Sequence, residues 1–175
     1  MRKRRDAHPD GSLVRGRGAS SRRSYKEAFE RVLYLKDLIE NKGLYKLLWR
    51  PAKKREADIQ MLYRATWFGA VSDVNREVNN GRGSVDFKLS QCASDASVVE
   101  FKYASSSKLK RNLLNQVGIY KRSCDCASAI FVIVYFTAPQ LAKVQRVLHE
   151  LAARRDDKLV LIDARRDNKP TGSIA

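Results

Sequence analysis

Val98-Val99-Glu100-Phe101-Lys102-Tyr103 is a short β-branched and aromatic run, and it reads as a strand. Side chains alternate faces along a strand, so Glu100 and Lys102 share one face and Val99 and Phe101 the other. Buried charges are rare unless they are paired or hold a metal. An acid and a base side by side on an otherwise apolar strand therefore mark a candidate site. Upstream, Ser84-Val85-Asp86-Phe87-Lys88-Leu89 alternates in the same way and sets Asp86 on a second strand. The plainer arrangement of these residues is a cross-strand ion pair of Asp86 with Lys102, with Glu100 on a solvated face.

Working outward, residues 73–79 and 84–90 form a hairpin around the turn signal Asn80-Gly81. Gly81-Arg82-Gly83 is not a phosphate-binding fingerprint, because no helix follows it. Residues 91–97 are small and polar and read as the loop into the central strand. After Tyr103, Ser105, Ser106 and Ser107 offer N-caps for a helix to about Arg122, with Leu109, Leu113, Val117 and Tyr120 as its stripe and Gln116 within or beside it. Lys108, Lys110 and Arg111 gather in its first turns. Their charge has the wrong sign for the helix dipole, which favours a ligand-facing role. Residues 129–136 form a continuous apolar strand of the kind buried on both faces. A helix over about 139–153 and a strand over 159–162 close the chain.

Toward the N-terminus, Ser24-Tyr25-Lys26-Glu27 reads as a capping box, followed by Ala28, Val32, Leu35, Leu38 and Ile39 at helical spacing. Asn41-Lys42-Gly43 stops that helix, and a short segment over 44–49 ends before Pro51. A second helix runs from about 52 to 67 with Ile59, Leu62, Tyr63 and Thr66 buried. Glu56 lies on or beside that stripe, where its carboxylate can reach the sheet or simply serve the helix dipole.

The chain has 175 residues, 43% of them hydrophobic, and a formal charge of +16. That is about one domain with a substantial core and an excess of positive charge that suits a polyanionic partner, nucleic acid foremost. The blander reading is a ribosome-associated or merely basic protein. Residues 1–23 combine Arg and Lys with Gly, Ser and Pro, and are expected to be a disordered basic arm, either wrapping phosphates or solvated. Cys92, Cys124 and Cys126 make neither a disulfide framework nor a zinc site and read as reduced thiols. No apolar run is long enough to span a membrane, and no secretory h-region follows the basic start, so a cytoplasmic location is expected. His8 and His149 read as incidental.

Asp86 followed by Glu100-Phe101-Lys102 on the next strand resembles the core of the PD-(D/E)XK nuclease superfamily, with its restriction-endonuclease-like fold. Gln116-Val117-Gly118-Ile119-Tyr120 is similar to the Q-x-x-x-Y motif of the RecB-like and lambda-exonuclease-like branch. The resemblance covers about residues 52–136. It lacks the proline before Asp86, and three cysteines cannot reproduce the iron–sulfur cluster of some members. It implies an α/β fold with an αβββαβ core, a mixed central sheet flanked by helices, and Mg²⁺- or Mn²⁺-dependent hydrolysis of phosphodiester bonds in DNA. Asp86 and Glu100 would be metal ligands, joined by the Phe101 carbonyl at the same strand position. Lys102 would position a water as base or stabilise negative charge, with Glu56 an auxiliary acid and Gln116 and Tyr120 in support. Lys108, Lys110 and Arg111 would contact substrate. The expected organisation is a basic arm over 1–23, a helical extension over 24–50 and a nuclease-like domain over 51–175. A catalytically silent nucleic-acid-binding module on the same fold, or a nuclease directed by a partner protein, fits the same residues, and a homo-oligomer is open. Asp163-Ala164-Arg165-Arg166-Asp167-Asn168-Lys169-Pro170 lies outside the motif, as another phosphate-contacting strip or an exposed terminus.

Overall fold

Among the described residues, five strands form one mixed sheet in the order of the chain: β1 (Asp73–Asn79), β2 (Ser84–Gln91), β3 (Asp95–Tyr103), β4 (Ser128–Tyr135) and β5 (Leu159–Asp163). β1, β2 and β3 pair antiparallel, whereas β4 and β5 run parallel to β3. Connection length accounts for the change. The first three strands are joined by links of a few residues, while the later ones are separated by helical crossovers. The helices are α1 (Arg23–Asn41), α2 (Tyr45–Leu48), α3 (Glu56–Ala65), α4 (Leu109–Tyr120) and α5 (Ala138–Glu150). The computed structural model describes residues 23–49, 56–79, 84–91, 95–120, 128–151 and 159–169, without the side chains of 77–79, 84, 115–120 and 128. The basic arm over 1–22 and the Asn80-Gly81 turn lie outside the described residues.

One face of the sheet is covered by α1 and α3. Ala28, Val32, Leu35 and Ile39 of α1 join Ile59 and Tyr63 of α3 in one buried cluster with Phe87, Val99 and Phe101. Tyr63 is its hub, with ring centroids 5.0 Å from Phe87 and 5.1 Å from Phe101. Thus α1, which the sequence assigns to an extension, contributes to the same core as the sheet. On the other face, Leu109 and Leu113 of α4 and Val144 and Val147 of α5 pack on Ile133 and Tyr135. None of the described helices is long and apolar enough to cross a membrane.

Two local readings are corrected. Ser24 does not cap its own helix: its hydroxyl donates to Asp95 Oδ1 at 2.6 Å and lies 2.8 Å from Ser97 Oγ. Those partners are strand residues, so β3 begins at Asp95, inside the segment expected as a loop. Glu27, expected to close the capping box, instead ties α1 to the α3–β1 connection. It accepts from the Val71 and Ser72 N–H groups, from Ser72 Oγ at 2.5 Å and from Gln91 Nε2 at 3.0 Å. Burial would raise its pKa, but these bonds outweigh it and hold the carboxyl below its ordinary value. Glu27→Ala should cost about 2–3 kcal/mol in urea denaturation. A lowered carboxyl pKa stabilises above the unfolded value, so the difference between the two proteins should fade as pH falls through the carboxylate range.

The closing segment is also tied in. Arg165 Nε and Nη2 grip Asp163, at 2.8 Å for the shorter pair, and Asn168 Nδ2 donates to the same carboxylate. Burial works against the ionised Asp163, yet these bonds hold its pKa well below the carboxylate range. Arg166 stacks on Trp49, whose Nε1 donates to the Ala164 carbonyl.

Candidate functional site

The site begins where β2 and β3 part. Their register runs from Gln91↔Asp95 to Phe87↔Val99. Past it, side-chain carboxylates receive the N–H groups of β3. Phe101 N–H donates to Asp86 Oδ2 at 2.7 Å, and Tyr103 N–H donates to Glu56 Oε1 at 3.1 Å. Alternate residues of a strand point their N–H groups to the same edge, so two successive ladder positions are filled by acids rather than by backbone. Asp86 N–H in turn faces Glu100 Oε2 at 3.4 Å. Strict alternation would place Val85 beside Phe87. Instead Val85 packs with Val98 and Ala129, so β2 turns its faces at Asp86.

Lys102 lies between two acids. Its Nζ is 2.8 Å from Glu100 Oε1 and 3.4 Å from Glu56 Oε2. It pairs in register with Ile133, which places it on the α4/α5 face of the sheet. Glu56 starts α3 on the opposite face and reaches Lys102 through the gap that β2 leaves. Side-chain exposure is 6% for Glu100, 15% for Lys102 and 33% for Glu56. Among the described residues, three carboxylates thus gather around one ammonium in a chain of charge +16.

The imbalance falls on Asp86. Burial first, and then the charge of Glu100, push its carboxyl up to about 6, against the Phe101 N–H and Lys102. Burial would lower Lys102, but the charge and hydrogen bond of Glu100, with Asp86 and Glu56, outweigh it and raise its pKa. Lys102 is therefore an ammonium ion across the neutral range.

The sequence-derived set is largely brought together: Asp86, Glu100, Lys102 and Glu56 converge, and Phe101 contributes its backbone between them. Lys108 and Arg111 are exposed near the start of α4, whereas Lys110 is engaged by Glu150 of α5 at 2.7 Å. Gln116 and Tyr120 occupy backbone positions of α4, and their side chains lie outside the described residues. Gln60 escaped the sequence reading. It is only 9% exposed, one turn after Glu56 on α3, and its Oε1 accepts from Arg76 Nη2 of β1 at 3.3 Å. Its four-residue spacing from Glu56 was the available signal.

Among the described residues no group of three or more His, Cys, Asp or Glu side chains forms a ready metal cage. What is brought together is a pair of carboxylates, Asp86 and Glu100, at the Phe101 backbone. Oxygen donors of this kind suit a hard divalent cation that keeps several waters. Burial first, and the charge of Glu100 second, hold Asp86 toward its neutral form, and a cation seated beside it would favour the ionised one.

Residues 24–138 match the family model described as Domain of unknown function (DUF8371), a match that runs from α1 past β4 and includes every residue of this site. No curated protein and no solved structure matches the chain.

Proposed function

The chain belongs to the family described as Domain of unknown function (DUF8371), and from the carboxylate cluster we propose that it is a divalent-cation-dependent nuclease hydrolysing phosphodiester bonds in DNA. One observation carries this reading: two successive N–H groups of β3 are given to the acids Asp86 and Glu56, with Lys102 held between Glu100 and Glu56. Opening a ladder to seat three acids around one lysine costs stability, which is characteristic of a functional site. The order α3, β1, β2, β3, α4, β4 supports the resemblance to the PD-(D/E)XK superfamily and its restriction-endonuclease-like core. Net charge supports a polyanionic substrate.

Asp86, Glu100 and the Phe101 carbonyl would hold Mg²⁺ or Mn²⁺. When bound, such an ion neutralises charge on the scissile phosphate and lowers the pKa of an attacking water. Lys102, kept protonated by its acids, stabilises negative charge developing on the phosphate rather than removing a proton. Glu56 positions it: Oε1 is anchored on Tyr103 N–H while Oε2 faces the ammonium. Lys108, Lys110 and Arg111 would receive the DNA backbone at the start of α4, with Gln116 and Tyr120 in support.

Plasmid DNA should be cleaved in Mg²⁺ or Mn²⁺ and left intact by Glu100→Ala and Lys102→Ala. A second reading, a silent DNA-binding module, is favoured by the 2.8 Å Lys102–Glu100 pair, which already neutralises one ligand. Tight DNA binding by the wild-type chain without cation-dependent cleavage would decide for it. Proton and cation compete for Asp86, so Mn²⁺ affinity measured by calorimetry should be nearly level above pH 7 and fall about tenfold per unit below about 6.

A further inference from the structure

We infer that Lys143 of α5 seats a backbone phosphate of the DNA strand at the carboxyl end of β3; this rests on the nuclease reading above. Its ammonium crosses to the turn that follows the Lys102 strand and donates to two backbone carbonyls, Ala104 at 3.0 Å and Ser106 at 2.7 Å. The sheet fixes where this contact lies. β3 keeps to β4 one residue past Tyr103, with Ala104 N–H donating to the Val134 carbonyl at 2.9 Å. Ala104 joins the buried cluster of Leu109, Val144 and Ile133, and Ile133 is the register partner of Lys102. Lys143 therefore works on the face of the sheet that carries Lys102. Open α/β sheets bind their ligands outside the carboxyl ends of parallel strands, and this turn is such a place.

Charge separates this contact from a plain tie. Two carbonyls can be held by any pair of N–H groups, those of an amide included. An ammonium brings a full charge as well, and among the described residues no carboxylate pairs with this one. Lys102 and Lys110 by contrast direct theirs at Glu100 and Glu56 and at Glu150. Two of the three Lys143 donors go to the carbonyls, and the side chain is half-buried rather than sealed. A third donor carrying an unanswered charge suits a phosphate oxygen. The turn that Lys143 holds leads into the exposed Lys108 and Arg111, so the phosphate would lie between α5 and the start of α4.

The experiment is anisotropy of a short labelled DNA duplex titrated with the full chain in Ca²⁺, across a salt series, with melting curves for every variant. Lys143→Met should weaken binding about tenfold at low salt and lower the log–log salt slope by about one. Lys143→Gln keeps N–H donors for the two carbonyls without the charge. It should regain melting temperature lost in Lys143→Met, yet keep the lowered slope. Lys143→Arg should restore the slope. Arg146→Ala, at an exposed arginine one turn further along α5, sets the size of a general charge effect. If Lys143→Met lowers the slope no more than Arg146→Ala, or Lys143→Gln binds as tightly as the wild type, the phosphate contact is rejected while cleavage by the wild type keeps the nuclease reading. If the wild type does not cleave with Mg²⁺ or Mn²⁺ but the binding differences appear, the nuclease reading falls and the contact stands.

Discussion

Asp86→Asn should make the protein more stable at pH 7 and at the same time abolish cation-dependent cleavage. Burial and Glu100 raise the Asp86 carboxyl from 3.8 to about 6. A raised carboxyl favours folding only while protonated, so its contribution is complete below the unfolded pKa and is lost as pH rises from about 4 to about 6. At about 1.4 kcal/mol per unit, the ionised group opposes folding at neutral pH by on the order of 3 kcal/mol. Asparagine keeps an oxygen to accept the Phe101 N–H and removes the charge beside Glu100, though it forfeits the attraction to Lys102. The net gain should be about 1–2 kcal/mol, a rise of roughly 3–6 °C in Tm. Melting curves at pH 7 and pH 4 check it: the gain should be present at the first and absent at the second. Saturating Mg²⁺ should raise the wild-type Tm and leave that of the variant unchanged. A variant less stable than wild type at pH 7 would sink this account of the site.

Lys102→Met should act in the opposite direction on stability and in the same direction on activity. Glu100 loses its ammonium at 2.8 Å, and Glu56 and Asp86 lose the only cation among the four side chains of the cluster. Removing one partner of a buried pair costs about 3–5 kcal/mol, because the remaining charge stays buried. Cleavage should drop by about 10³-fold, the scale for losing a preorganised electrostatic group. Combining Glu100→Gln with Lys102→Met should restore most of the stability in guanidinium titrations and none of the cleavage. Mg²⁺ should stabilise Lys102→Met more than wild type, since the ion then neutralises acids that Lys102 no longer serves. Equal Mg²⁺ shifts in the two proteins would argue against a cation among these carboxylates.

Period-two alternation and apolar runs made the sheet legible. β1 and β2 lie where the Asn80-Gly81 signal and its flanking strands placed them, and the apolar run from 129 became the interior strand β4. Glu56 was legible as a carboxylate able to reach the sheet, because helix phase alone put it beside the buried stripe of α3. The failures share a cause. Ser24 and Glu27 fit a local capping motif, yet their side chains bond to residues far along the chain, Asp95 and Ser72. A motif confined to four residues carries no signal of a better partner brought in by folding.

By itself the sequence determined which residues alternate on which strand, that Glu100 and Lys102 share a face, and that the whole is a mixed α/β layer structure carrying a large positive charge. Those properties follow from backbone geometry and composition, which are local. Only the tertiary structure decided that β2 leaves β3 at Asp86 and that Glu56 reaches Lys102 from the opposite face through the opening. It alone also decided that Gln60 of α3 accepts a hydrogen bond from Arg76 of β1. A hydrogen bond lost between two strands must be replaced by whatever acceptor packing brings near, and here packing brings carboxylates from two separate elements.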